Sequence, residues 1–203
     1  MTIDTDVVAV VLAAGAASRM GRAKQLLPWG RHTILEQTLH NVRKSRIEQT
    51  VVVTGHRADD VAALARRAGA TVVHNENYEE GEMLSSLQVA VAQLPADCAG
   101  VLVMLADQPQ VEAQTINSLL AAFQKGRGDI IAPTYEGRRG NPVLIGKRFF
   151  DELLALPLGA APRDLLRRHP EAVQLVPVAS DSILLDIDRP ADYERHRPKG
   201  DSS

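Results

Sequence analysis

The sequence predicts one α/β domain built on a doubly wound, mostly parallel sheet, with a small C-terminal β/α elaboration. Three observations lead there. The short strand-like runs are continuously apolar or β-branched instead of alternating, as strands covered on both faces must be. Amphipathic segments lie between those runs in a βαβα rhythm with short connections. The length, 203 residues, suits a single domain, since domains commonly hold about 100–200 residues. That domain is expected over residues 1–198, with residues 199–203 a disordered tail.

Strands are expected at residues 7–13, 50–54, 71–74, 101–105 and 130–132. A helix over residues 33–42 gathers Ile34, Leu35, Leu39 and Val42 on one side. A second, over 58–68, does so with Val61, Ala62, Leu64 and Ala65, and a third, over 113–123, with Ile116, Leu119, Leu120 and Phe123. Gly69 and Gly126 suit the ends of two of these helices. After Pro133 the rhythm changes. TYEGRRGNPVLIG, residues 134–146, reads as a hairpin-like excursion, 147–156 and 162–169 as helices, and 173–178 and 183–186 as late strands. Pro190 opens a final helix through His196. This second part is expected to close one side of a ligand cleft.

Hydrophobic residues make up 45% of the chain, ample for a core, and aromatic residues only 3%. The core must therefore be aliphatic, and a stacking surface for single-stranded nucleic acid has little to be built from. Net charge is -2 and the basic residues are scattered, which gives no footprint for a long polyanion and excludes nucleic acid as a partner. Cys98 is the only cysteine, so no intrachain disulfide or thiolate cluster forms; it reads as an inert, partly buried thiol. The run at 7–13 is about half the length of a membrane span, and MTIDTD before it is acidic and polar; no membrane association and a cytoplasmic location are expected. The six histidines show no ligand spacing, and His56 and His74 read as strand-end residues.

The chemistry begins at residues 12–30, LAAGAASRMGRAKQLLPWG. A strand, then a loop of small residues, then cations is a recipe for cradling phosphates: backbone N–H groups point inward and positive charge neutralises the ligand. The dinucleotide fingerprint GxGxxG is absent, because Ala16, Ala17 and Ser18 follow Gly15. A P-loop is absent too, since five residues separate Gly15 from Gly21 and Lys24 comes three later.

The stretch resembles LxxGxSxRMGxxKxLLPxxG, the signature of nucleotidyltransferases that condense an NTP with a phosphorylated or sugar-like acceptor. It is most similar to the cytidylyltransferase branch of the molybdopterin nucleotidyltransferase family. Further landmarks follow in that family's order: GEMLSSL at 81–87, LADQP at 105–109, GRRGNPVL at 137–144 and DIDRPADY at 186–193. The resemblance spans essentially the whole chain. It implies a Rossmann-like nucleotidyltransferase fold and a Mg²⁺-dependent transfer of CMP from CTP to molybdopterin, giving molybdopterin cytosine dinucleotide and pyrophosphate.

Each motif carries a physical reading. Leu12, Ala13, Ala14, Gly15 and Ser18 would wrap the nucleotide, with Arg19 and Lys24 on the triphosphate, where charge builds as pyrophosphate leaves. A solvated basic loop is the plainer reading. Asp107 follows a buried strand at its C-terminal end, where open α/β sheets bind ligands and a carboxylate can hold Mg²⁺ against phosphate oxygens. Asp186 and Asp188 add carboxylates, and period-two spacing on the expected strand puts both on one face. The resemblance implies that Asp107 and one of this pair bind the metal, with Asp188 favoured; Asp186 also reads as a strand-end residue or a cap for the helix after Pro190. Catalysis then rests on Arg19, Lys24 and Asp107. No nucleophilic side chain is required, because the acceptor's ionised phosphate attacks.

Ser85 and Ser86 either cap a helix beginning near Ser85 or present hydroxyls and N–H groups to the base or ribose; Asn75 and Asn77 lie nearby in sequence. In GRRGNPVL, Gly137 and Gly140 make a turn and Arg138 and Arg139 offer charge, with Arg139, Gly140 and Asn141 expected to bind the acceptor. A plain surface hairpin is the alternative, and the resembling family often has His in place of Asn141. Ala14, just before Gly15, goes with cytidine nucleotides in that family and Gly with guanosine, because a methyl group there crowds a purine. Three other readings stay open. One is guanylyl transfer to molybdopterin, or cytidylyl transfer to a sugar or isoprenoid phosphate. Another is a cofactor-binding chaperone that serves a molybdenum hydroxylase. The last is a nicotinamide-dependent oxidoreductase, which the missing GxGxxG opposes. A molybdoenzyme client and a monomeric or weakly self-associating chain complete the expectation.

Overall fold

The computed structural model describes residues 7–16, 20–21, 23–80, 82–157 and 159–198. The expected disordered tail at 199–203 therefore lies outside the described residues. Chain order is β1 (Val7–Leu12), β2 (Pro28–Trp29), β3 (His32–Thr33), α1 (Ile34–Arg43), β4 (Gln49–Thr54), α2 (Ala58–Arg67), β5 (Thr71–His74) and α3 (Glu82–Val91). Then come β6 (Gly100–Leu105), α4 (Ala113–Gln124), β7 (Ile130–Tyr135), β8 (Arg138–Arg139), β9 (Val143–Gly146), α5 (Phe150–Leu154), α6 (Pro162–Arg168), β10 (Val173–Pro177) and α7 (Pro190–His196).

Among the described residues one sheet of eight strands runs β5-β4-β1-β6-β9-β7-β10, with β8 paired to β7. The pairs β1–β4, β1–β6, β4–β5 and β7–β10 are parallel. Only β9, antiparallel to β6 and β7, and β8 break the pattern. The chain leaves β1 toward β4 and β5, then returns to β6 on the other side of β1. That reversal makes a switch point beyond the carboxyl ends of β1 and β6, where doubly wound sheets bind ligands. Leu12 is the register partner of Leu105 there, so the loops carrying Gly15 and Asp107 leave the sheet side by side.

Both faces are covered, which explains the unbroken apolar strands. On one side Val7, Ala9 and Val11 of β1 join Leu35 and Leu39 of α1, Val61 and Leu64 of α2, and Ile116 and Leu119 of α4. On the other, Val10 meets Leu84 and Leu87 of α3, Leu153 of α5 and Leu165 of α6. The helices start and stop as their sequences direct. Thr33 and Glu36 form a capping box at α1, Pro190 occupies the first turn of α7, and Gly69 takes φ +83° just past α2. Cys98 is buried, as expected. Among the described residues no helix is long and apolar enough to cross a membrane.

Two expectations need correction. Residues 183–186 are not a strand: Asp181–Leu184 is a single 3-10 turn whose N-cap, Ser180, accepts the Ser182 N–H at 3.1 Å. Ile183 is fully buried, and its carbonyl accepts the Asn141 N–H at 3.0 Å. One such bond satisfies the backbone without a ladder. The other correction concerns α3, which starts at Glu82, so Ser85 lies inside the helix and neither Ser85 nor Ser86 caps it.

Candidate active site

Leu12, Ala14, Gly15, Lys24, Ser86 and Asp107 line one cleft of about 220 Å³ at the switch point, with Gln25, Tyr78, Met83, Leu105 and Ala106. Six of the residues expected at the nucleotide thus converge. Ala13 faces the core instead, passing its N–H to the Val53 carbonyl at 2.9 Å. Ser18 and Arg19, like Arg22 and Gly81, lie outside the described residues.

The loop is held from behind. Gln25, almost wholly buried, donates from Nε2 to the carbonyls of Ala13 and Gly15 at 3.1 and 3.0 Å. Gly15 has no positive φ, and among the described residues beyond its chain neighbours an added Cβ would meet no atom within 4 Å. The bare backbone there keeps space for something that enters the cleft.

Charge concentrates at the Asp107 end. The Lys24 ammonium lies 2.5 Å from Asp107 Oδ2 and 2.6 Å from Asp188 Oδ1. Lys24 and Asp107 are 13% and 17% exposed, while Asp188, at 42%, is open to solvent. Burial works against the Lys24 charge, but the carboxylates of Asp107 and then Asp188 outweigh it and raise the pKa above its ordinary value. Asp186 takes a 2.7 Å hydrogen bond from Gln108 Nε2. Burial, then the neighbouring charge of Asp107, pushes its carboxyl upward in pKa, against the Gln108 bond. The ion-paired carboxylate is therefore Asp188, while Asp186 bonds to Gln108 instead.

Remote parts of the chain position these groups. Asn41 on α1 donates from Nδ2 to the carbonyls of Pro109 and Val111, both at 2.9 Å, and the Thr38 hydroxyl reaches the Ala106 carbonyl at 3.3 Å. Helix α1 thereby fixes the turn that presents Asp107. The Ile187 N–H donates to the Asp107 carbonyl at 3.0 Å, so the segment bearing Asp186 and Asp188 is tied to that same turn. Ile187 is buried with Met20, Leu27, Trp29, Ile34 and Tyr193, and the Tyr193 hydroxyl donates to the Pro28 carbonyl at 2.6 Å. This cluster, which sequence reasoning missed, seats Asp188 on Lys24.

Ser85 and Ser86 are also pinned, since Asn75 Nδ2 donates to both hydroxyl oxygens at 2.9 and 3.0 Å. Ser86 reaches the cleft lining and Ser85 does not. Arg139, Gly140 and Asn141 line a second cavity of about 420 Å³, whose wall includes Arg163 and Met83. Met83 borders both cavities. Gly140 must be glycine, because an added Cβ would lie 2.2 Å from the Ile183 carbonyl oxygen. Gln25, Tyr78, Met83 and Arg163 were not expected from the sequence.

The donor set suits a divalent cation. Two hard carboxylate oxygens already converge on one positive charge, and a small divalent cation is commonly held by one or two carboxylates, with water and phosphate completing its shell. Among the described residues no cluster of three or more His, Cys, Asp or Glu is arranged to hold a metal, so Asp107 and Asp188 would supply only part of the coordination.

An open α/β sheet, with a glycine loop, a lysine and carboxylates gathered at its switch point, defines a nucleotide-handling domain. The chain belongs to the family described as the MobA-like NTP transferase domain, which matches residues 9–173. It is 28% identical over 187 residues to the molybdenum cofactor cytidylyltransferase of Escherichia coli (strain K12), covering 91% of this chain and 92% of that protein. It is 30% identical over 202 residues to the nicotine blue oxidoreductase of Paenarthrobacter nicotinovorans, covering 91% and 95%. Among solved structures, Rv0371c of Mycobacterium tuberculosis H37Rv superposes with a TM-score of 0.84 at 32% identity, covering 94% of this chain and 96% of that one. A structure of that mycobacterial protein in complex with manganese superposes at 0.77 with 30% identity, covering 94% and 97%.

Proposed function

We propose that this nucleotidyltransferase moves CMP from CTP to molybdopterin, with Mg²⁺ as its cofactor, and releases pyrophosphate. The observation that carries the reading is the Lys24 ammonium set between Asp107 and Asp188 at the mouth of the Gly15 loop. The same charges suit a triphosphate and its cation. When bound, the divalent ion would neutralise the triphosphate and orient its α-phosphorus, with Asp107 and Asp188 as protein ligands. Lys24 then has phosphate oxygens to pair with. The bare backbone at Gly15 lets N–H groups approach them. The acceptor, in the neighbouring cavity by Arg139 and Asn141, brings its phosphate oxygen onto the α-phosphorus; that P–O bond forms as the bond to the β-phosphate's bridging oxygen breaks. No protein nucleophile is needed. Ala14, 5% exposed in the cleft wall, favours a pyrimidine, and the E. coli relative's name agrees with that choice.

The test is a screen of CTP, GTP and ATP against molybdopterin and simpler phosphorylated acceptors with Mg²⁺ or Mn²⁺, read as pyrophosphate release. CTP with molybdopterin should lead in kcat/KM, and Asp107→Ala should abolish turnover while leaving the fold intact. Equal use of GTP would overturn the base assignment, and an active Asp107→Ala the metal assignment. The Paenarthrobacter relative raises a second reading, an oxidoreductase on the same scaffold. A rise in Tm with NAD(P)H but not with CTP and Mg²⁺ would favour it.

A further inference from the structure

Tyr78 has no place in the chemistry above, yet its ring governs one wall of the cleft. It is the aromatic side chain among the described lining residues. Its ring lies across Gly55, just beyond β4. A Cβ built on Gly55 would stand 2.5 Å from Tyr78 Cγ, 2.6 Å from its Cβ and 2.8 Å from the Ala14 carbonyl oxygen. Gly55 does not have a positive φ, so the glycine there serves packing: it lets an aromatic ring and the Ala14 backbone meet at one point. The Ala14 carbonyl is further held by the His56 N–H at 3.0 Å. Ring, glycine and loop are therefore fixed against one another.

Topology places this wall opposite the charges. Gly55 follows β4 and Tyr78 follows β5, both on one side of β1, whereas Asp107 follows β6 on the other. A ligand whose phosphates meet Lys24 and Asp107 would carry its far end across the Gly15 loop toward Tyr78. The lining also includes the apolar Leu12, Ala14 and Met83. The Tyr78 hydroxyl points to the exposed Glu79 carboxylate, 3.0 Å away, so the polar tip is occupied outside and what Tyr78 brings to the cleft lining is its apolar ring.

We infer that Tyr78 is the base-binding residue of this site, its ring stacking on the nucleobase, and that Gly55 is glycine to let the ring lie there. The inference rests on the nucleotide reading of the cleft but not on which base is bound. Stacking of a base on an aromatic ring is sequence-tolerant, and removing the ring commonly weakens binding by about five- to one-hundred-fold.

The experiment measures binding of CTP, GTP, ATP and inorganic triphosphate by calorimetry in the presence of Mg²⁺, for wild type, Tyr78→Leu and Tyr78→Phe. Tyr78→Leu should lose about ten-fold or more for the nucleotide that wild type prefers, and Tyr78→Phe less than two-fold. Inorganic triphosphate, which has no base, should bind all three proteins alike. Equal weakening toward CTP and inorganic triphosphate would mean that the ring merely supports the loop, and unchanged nucleotide binding in Tyr78→Leu would leave it no role; either overturns the inference. Should wild type prefer GTP, the cytidine assignment fails while the Tyr78 comparison is read with GTP. A wild type that binds inorganic triphosphate as tightly as every nucleotide overturns the base contact alone.

Discussion

Replacing Lys24 with Met keeps most of the stem's volume and removes its charge. Asp107 and Asp188, each in contact with the ammonium at 2.5 and 2.6 Å, would then face each other across an uncharged side chain. Breaking a fully buried ion pair costs about 3–5 kcal/mol and an exposed one about 0–1 kcal/mol. The pair with Asp107, both partners under one-fifth exposed, lies toward the first case; Asp188, at 42% exposure, belongs to the second. Partial solvation of the first pair brings the sum to about 2–3 kcal/mol, and for a chain of this size that lowers Tm by about 5–10 °C. A divalent cation supplies the missing charge. At one hundred times its Kd it contributes about 2.7 kcal/mol, so excess Mn²⁺ should return Lys24→Met close to the wild-type Tm. Wild type should gain less, because there the cation has to displace the ammonium. Thermal unfolding at neutral pH with and without Mn²⁺ measures both effects. The pH dependence has a definite sign: a raised lysine pKa stabilises fully below the unfolded value, near 10.5, and the benefit is lost as pH rises through the folded one. The gap between wild type and variant should thus be flat from about pH 6 to 9 and close only in stronger alkali. A variant as stable as wild type, or one weakened but indifferent to Mn²⁺, would refute the reasoning.

Two further substitutions probe the supports. Asn41→Ala strands the carbonyls of Pro109 and Val111 and should cost about 1–3 kcal/mol, seen as a lower urea midpoint; an unchanged midpoint would remove α1 from the role of holding the Asp107 turn. Glu36→Gln tests the capping box. Partial burial raises the Glu36 carboxyl, but the Thr33 bonds and then Arg67 outweigh it and hold it below 4.5, so its stabilisation is present above the unfolded pKa and disappears as pH falls through the folded one. The variant should be about 0.5 kcal/mol less stable at pH 7 and equal to wild type in strong acid, by urea unfolding at both; the same deficit at both pH values would assign the effect to shape and not charge.

The sheet was legible because its strands are buried on both faces, so Val7–Leu12 and Gly100–Leu105 read as unbroken apolar runs. Helix ends were legible where a cap or a proline writes them, as at Pro190. Residues 183–186 misled because Ile-Leu-Leu carries strand propensity whether or not a partner strand is at hand, and here Asn141 offers a single backbone bond and nothing more. Of the two readings of Ser85 and Ser86, capping fails because the helix starts earlier, at Glu82. Their hydroxyls are instead taken up by Asn75, an arrangement that no local pattern encodes. Tyr78 stands in a polar run, NENYEEGE, without periodicity, and what gives it meaning is Gly55, more than twenty residues away. Lys24, Asp107 and Asp188 were each named from their motifs, but their contact follows from packing far along the chain.

That packing also accounts for the length of the opening signature. A phosphate cradle needs the small residues near Gly15 and a cation at Lys24; it has no use for Leu27 and Trp29. Those residues lie in the cluster that buries Ile187 and Tyr193, the Trp29 and Tyr193 rings being 6.3 Å apart. The last part of the motif is therefore a clamp on the chain's last helix. Residue 187 lies between the two aspartates, so burying Ile187 and tying its N–H to the Asp107 carbonyl sets where Asp186 and Asp188 fall. The neighbouring residues of an extended segment point away from the buried one, toward the charged end of the cleft. A substitution at Trp29 would accordingly act on Asp188 and on cation binding before it acted on the central sheet, whose cores are built from other residues.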